Sequence, residues 1–267
     1  MSQALKSSAI NPFLFMKIKQ LCFVSGVALA TLGTSAAQAA LVVVPPGLAP
    51  GAQYRLVFMT DGTRDATSTD INDYNTFVTN QATGGTPGID TALDTALNGA
   101  GFDLSTITWK AIGSTSAVAA RDNTGTNPSS TGVPIYLIDG NRVANNNADL
   151  WDGSLQHPIN RNNLGTSPVS PFVWTGSDQF GAGILSGELG GATSVGAGLN
   201  FISANKEWID VGSVGRDALY ALYAMSSVLT VPGNQPAPVP VPEPSSLLGF
   251  ITLGGLMLGG AVRKARK

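Results

Sequence analysis

Val173-Trp174-Thr175-Gly176-Ser177-Asp178-Gln179-Phe180-Gly181 is the stretch whose reading decides the fold. Its opening, Phe172 to Thr175, is aromatic and β-branched, the composition of a short strand. The same signal recurs on both sides. Tyr54 to Thr60 (YRLVFMT) is an apolar strand broken by Asp61-Gly62, Ile107 to Ile112 (ITWKAI) is another, and Tyr220 to Thr230 contains the last. Pro134 to Ile138 and Asn141 to Ala144 flank Asp139-Gly140, a dipeptide suited to a type I′ turn, and read as a hairpin.

Helices come early. Ser68 or Thr69 caps a helix to about Gln81, because Ile71, Tyr74, Phe77 and Val78 share a face at helical spacing. Gly84 to Gly88 reads as a loop. Ile89, Leu93, Ala96 and Leu97 suggest a second short helix, stopped at Asn98-Gly99. Early helices followed by short strands predict an α+β domain with an antiparallel sheet. No Pro-rich linker divides residues 40–231, and no repeat of roughly 20–50 residues is visible, so this span reads as one globular domain.

The chain has 267 residues, only 12% of them charged, with 32 glycines, which suits a loop-rich extracellular domain. Its one cysteine, Cys22, lies in the N-terminal apolar segment, so residues 40–231 hold no thiol for a disulfide, nucleophile or metal site. Between Ala40 and Pro240, eight Lys/Arg stand against sixteen Asp/Glu, a net charge near −8. Such a domain lacks the basic face that nucleic acid or anionic lipid requires.

Both ends differ from the middle. Lys17 and Lys19 precede an apolar run from Leu21 to Leu32, and small residues end at Ala37-Gln38-Ala39. This is the three-part pattern of a secretory signal peptide over residues 1–39, cut by signal peptidase after Ala39. Met16, followed at once by Lys17-Ile18-Lys19, offers a second and more compact start. At the other end, Pro236, Pro238, Pro240, Pro242 and Pro244 make residues 232–244 a stiff spacer. Ser245 to Val262 carries no charge and is long enough for a transmembrane helix at ~1.5 Å per residue. Arg263, Lys264, Arg266 and Lys267 form a basic anchor that sets residues 245–267 with the C-terminus inside.

Val241-Pro242-Glu243-Pro244, the apolar stretch and the basic end together resemble the PEP-CTERM sorting signal of Gram-negative bacteria. The resemblance implies recognition and cleavage near Pro242-Glu243-Pro244 by an exosortase. It implies a membrane-anchored precursor and then a cell-surface or extracellular-matrix location in a producer of exopolysaccharide. The Val173–Gly181 run resembles the V-W-x-G-S-D-x-x-G run of the endostatin-like branch of the C-type-lectin-like fold, and the wider order of elements is similar over most of residues 54–231. This implies pairing of the first and last strands, and a binding or adhesive module rather than an enzyme. The fold's usual disulfides have no cysteines here, and its E-P-N, Q-P-D and W-N-D sugar-binding runs are missing.

Candidate chemistry is sparse. His157 is the only histidine, which excludes His clusters, and no G-x-S-x-G elbow accompanies it. Asp61, Asp65, Asp70 and Asp73 could supply the carboxylate pair of a polysaccharide hydrolase, the rival to a binding module; a purely structural matrix protein is the third reading. No cofactor is expected. Calcium is the one cation with candidate ligands, at Asn145, Asn147, Asp149 and Asp152, although Leu150 stands where an EF-hand turn needs Gly and the distal Glu is missing. Trp109, Trp174 and Trp208 are expected in the core. Trp151, next to Asp152-Gly153, is the tryptophan expected to be exposed and available to polysaccharide. N-terminal sequencing of the exported protein should begin at Ala40; a first residue at Met1 or Met16 would show that the apolar segment is retained.

Overall fold

A computed structural model describes residues 41–85 and 91–233. The predicted signal peptide, Ile89, the Val241–Pro244 motif, the predicted membrane helix and the basic anchor lie outside the described residues. Among the described residues, no helix is long and apolar enough to cross a membrane.

The strands are β1 (Gln53–Met59), β2 (Trp109–Ala111), β3 (Ile135–Leu137), β4 (Arg142–Ala144), β5 (Phe172–Trp174), β6 (Ser194–Leu199), β7 (Gly212–Gly215), β8 (Ala221–Ser226) and β9 (Leu229–Thr230). The helices are α1 (Ile71–Thr83), α2 (Ala92–Gly99), α3 (Ala120–Asn123) and α4 (Asn147–Leu150). One sheet runs β4-β3-β1-β8-β5-β6-β7, with β2 added on β8 and β9 on β1. The α+β class holds, but the sheet is mixed rather than antiparallel. β1 pairs with β3 in parallel, and β5 with β8. Each of these pairs is joined by a long stretch of chain that carries other elements, which is what a parallel pair demands.

Alternation along the central strands builds a core on each face. Tyr54, Leu56 and Phe58 of β1 and Leu222 and Ala224 of β8 face the layer that holds α1 and α2. Val57 and Met59, with Ala221, Tyr223 and Met225, face Ile135, Leu150, Trp151 and Trp208 on the other side. A period of two sends neighbours to opposite faces, so a strand covered on both sides reads as a continuous apolar run. That is why YRLVFMT was legible.

β8 is paired on both edges. One edge meets β1, with Val57 opposite Met225 and Met59 opposite Tyr223. The other is shared lengthwise, β5 against Ala221 and Leu222, and β2 against Ala224 to Ser226. β9 then returns to β1, and Gly51 N–H donates to the Val231 carbonyl at 2.9 Å. First and last strands therefore pair, and the two ends of the domain lie together. The Ser226 hydroxyl accepts from Leu56 N–H at 2.9 Å, filling the gap between β8 and β9. The Tyr54 hydroxyl donates to the Val43 carbonyl and ties in the entering chain; burial pushes this phenol well above its ordinary pKa.

The ends of α1 differ from the sequence expectation, and it runs on to Thr83. Asp70, not Ser68 or Thr69, caps α1: its carboxylate accepts from Asn72 N–H at 2.9 Å. Ser68 instead bonds Asp73 Oδ2 at 2.6 Å. α2 ends at Gly99, as expected, and its left-handed cap falls at Gly101 (φ 87°), where Phe102 N–H reaches the Leu97 carbonyl and Gly101 N–H the Asn98 carbonyl, a Schellman end. The β3–β4 hairpin is also not type I′. Only Gly140 has positive φ, and Leu137 bonds Gly140 and Asn141, so the loop has three residues with a bulge at Gly140.

β6 escaped the sequence reading because its glycines serve contact rather than turns, and β7 because it is short and mostly exposed, with no apolar run to read. A Cβ on Gly198 would lie 2.1 Å from the Trp208 carbonyl oxygen, and one on Gly196 2.6 Å from Ile184 Cδ1. The Val173–Gly181 run is fixed residue by residue. Trp174 is fully buried and donates from Nε1 to the Arg64 carbonyl at 2.9 Å. Gly176 holds φ 56° with its Cα hydrogens against the Leu189 and Ser114 backbone. Asp178 accepts from Phe180 and Ala182 N–H, both at 2.9 Å. Trp174→Ala should cost about 3–5 kcal/mol. Trp174→Phe, which removes the indole donor while the Arg64 carbonyl keeps the Tyr220 N–H at 3.0 Å, should cost less, about 0.5–1.5 kcal/mol. Denaturant unfolding of the two variants checks the order.

Candidate functional site

The expected cluster around residues 145–152 does not converge on a ligand. Trp151 is 3% exposed, not open to polysaccharide as expected. Its Nε1 donates to the carbonyl and hydroxyl of Thr126, each at 3.0 Å, and its ring packs 5.9 Å from Trp208. Gly181 closes over it: a Cβ there would stand 2.9 Å from the indole. The signal that should have revealed this burial is the Gly181 that ends the Trp174 run, because only a residue without a side chain lets backbone lie on an indole.

Most of the oxygen donors nearby are already engaged; of the four candidates, Asn147 Oδ1 is buried with no hydrogen-bond partner among the described residues. Asp149 Oδ2 accepts from Asn145 N–H at 2.6 Å and from Gln156 Nε2 at 2.7 Å. The Asn145 side-chain carbonyl takes a guanidinium hydrogen from Arg142, and Asp152 Oδ1 caps Ser154. Asn147 is buried and donates to Ser130 Oγ at 2.8 Å. Among the described residues, no three His, Cys, Asp or Glu side chains are grouped to hold a metal.

The aspartates after β1 are similarly engaged. Asp61 Oδ1 accepts from Asn162 Nδ2 at 2.6 Å, pinning the loop after Asn160 to the end of β1. Asp70 caps α1. Asp65 accepts from the Thr67 hydroxyl and N–H, and these bonds hold its carboxyl below the usual carboxylate range. A general acid for glycoside cleavage needs the opposite shift. His157 Nδ1 meets the Pro158 carbonyl at 2.9 Å.

Two surface features were not read from the sequence. One is a depression of about 390 Å3 beside Pro168, Val169, Pro171 and Phe201, with Asn160 and Ser167 at its rim. Val169 and Phe201 are exposed there. The other is a groove of about 350 Å3 between α1 and β2. Its construction follows from β2 being an edge strand. Three of the four outward backbone groups of Trp109 and Ala111 in β2 are capped by α1 and α3 side chains. Asn75 Oδ1 accepts from Ala111 N–H at 2.9 Å, Asn123 Nδ2 donates to the Ala111 carbonyl at 2.8 Å, and the Thr79 hydroxyl donates to the Trp109 carbonyl at 3.2 Å. Asn75 and Asn123 also exchange a reciprocal amide pair, both bonds at 2.9 Å. Unpaired edges invite other strands, and this covering blunts one.

One helical step outward, Asn72, Thr76 and Asn80 form an exposed ladder at i, i+4 and i+8 on α1. With Thr108 and Lys110 they line the groove. The groove is thus amide- and hydroxyl-rich, and no carboxylate lines it. No protein-family model matches the chain, and no curated protein sequence matches it.

All four tryptophans are buried, at 3% exposure or less. Acrylamide should therefore quench the native protein weakly and the unfolded chain strongly; strong native quenching would place an indole at the surface.

Proposed function

We propose that the chain is an exported surface or exopolysaccharide-matrix protein of a Gram-negative bacterium, sorted by an exosortase, whose core is a non-enzymatic binding or adhesion module. The observation that carries this reading is the order of segments: a signal-peptide pattern, a cysteine-free acidic domain, a proline spacer with Val241-Pro242-Glu243-Pro244, an uncharged stretch and a basic end. Signal peptidase acts first. The apolar stretch then holds the precursor in the membrane until the exosortase cuts near Pro242-Glu243-Pro244.

The domain suits presentation on a spacer. Its two ends lie together through the β1–β9 pair, so a tether leaves the remaining surface open to contact. The C-type-lectin-like resemblance of the Trp174 run points to binding in the same way. Polysaccharide is the ligand class that fits a matrix location. Residues 40–240 hold only eight Lys and Arg, too few to neutralise a run of successive phosphates, which argues against nucleic acid.

Cells lacking the exosortase should accumulate the full-length precursor in the membrane fraction and lose the surface or medium form. Glu243→Ala, with the apolar stretch intact, should do the same. An unchanged distribution in both would contradict the sorting assignment.

A further inference from the structure

The geometry points to the α1–β2 groove as a saccharide-binding site that prefers a sugar chain bearing carboxylates, with Lys110 as its anion contact. This rests on the binding-module reading above and gives it a place and a ligand class.

Three observations converge on the groove. First, the described residues include eight Lys and Arg. Seven have a hydrogen bond or ion pair: Arg55 to the Ser226 carbonyl, Arg64 to the Asp73 carbonyl, Arg121 to the Phe180 carbonyl, Arg142 to Asn145, Arg161 to Asp139, Lys206 to Asp210 and Arg216 to the Gly191 carbonyl. Lys110 alone among the described residues has none, and it lines the groove. A half-buried lysine with no ion-pair partner among the described residues is suited to an incoming carboxylate.

Second, the polar side chains of α1 are divided by role. Asn75 and Thr79 are spent on the edge of β2. Asn72, Thr76 and Asn80 are turned outward, and no hydrogen bond among the described residues engages their side chains. An α-helix repeats this face every ~6 Å, so the three supply amide donors, amide acceptors and a hydroxyl along a line. Such a line suits an extended chain of ring hydroxyls.

Third, the β2–β8 register turns alternate backbone groups outward. Ala111 N–H is capped by Asn75, but the outward N–H of Trp109 has no partner among the described residues. It adds a backbone donor on the strand wall. Lys110 and Thr108 stand two residues apart on that wall, and successive sugars can contact both walls at once.

Calorimetry on the full-length protein, kept in a polyoxyethylene detergent free of sugar headgroups, tests the assignment with two probes. These are a mannuronate hexasaccharide and cellohexaose. The mannuronate probe should bind one-to-one and the neutral probe about tenfold more weakly or worse. Lys110→Gln should weaken mannuronate binding about tenfold, the loss of one charge-assisted bond, and should flatten its salt dependence. Thr76→Ala should weaken both probes, while Phe201→Ala, in the other depression, should change neither. Circular dichroism confirms that each variant is folded. Equal affinity for the two probes overturns the preference for acid. Mannuronate binding untouched by Lys110→Gln and Thr76→Ala overturns the groove and leaves a saccharide-binding module standing. No binding of either probe overturns the groove and the polysaccharide reading together, while the fractionation result for sorting stands independently.

Discussion

The molecule depends on β8 being used on every side. Both of its edges are paired and both of its faces are buried, with Leu222 and Ala224 in one core and Tyr223 and Met225 in the other. The strand is only six residues long, yet β1, β2 and β5 all register against it. A domain without cysteines has no covalent staple to limit its unfolded chain, so its cohesion must come from burial and hydrogen bonding. The ladder between β1 and β8 concentrates both. The long irregular connections can then be tolerated, because they are tied to this centre, as where Met59 N–H meets the Arg161 carbonyl at 2.8 Å, and to one another, as where Leu155 N–H meets the Ser203 carbonyl at 2.6 Å.

Those connections are held by short polar side chains more than by charges. Asn162 Oδ1 accepts from Leu164 N–H, Thr166 N–H and the Thr166 hydroxyl. Thr175 Oγ1 donates to the Ile209 carbonyl at 2.6 Å, and Ser114 Oγ joins Ser177 Oγ and Ala120 N–H. Buried backbone must find partners, and amides and hydroxyls supply them without the desolvation cost of an ion. This explains a chain that is rich in Asn, Ser and Thr yet only 12% charged. The same economy shapes the α1–β2 groove. Asn75, Asn123 and Thr79 complete an edge strand, and the next residues along α1 extend the same chemistry to the surface.

How much of this was legible follows the physics of each segment. YRLVFMT, the Trp174 strand, the hairpin strands and the buried stripe of α1 were read directly, because burial on one or both faces leaves an apolar pattern. Strands β6 and β7 were not: the β6 glycines exist for close approach by Ile184 and Trp208, β7 is mostly exposed and has no apolar run, and a local reading assigns both to loops. Strand direction was missed for a related reason: nothing in Ile135–Leu137 encodes that its partner β1 runs parallel. The expected site failed at Trp151. Its polar neighbours suggested exposure, whereas Gly181 and Thr126, far along the chain, enclose it. The groove was invisible because it needs the β2 register to show which α1 residues are spent and which remain free.

Native-state hydrogen exchange on the full-length protein tests the centrality of β8 most directly. The backbone amides of Leu56 to Met59 and Leu222 to Met225 should be the slowest to exchange, and should open only with global unfolding as denaturant is raised. Faster exchange there than in the body of α1 would contradict the account and move the organising centre of the fold elsewhere.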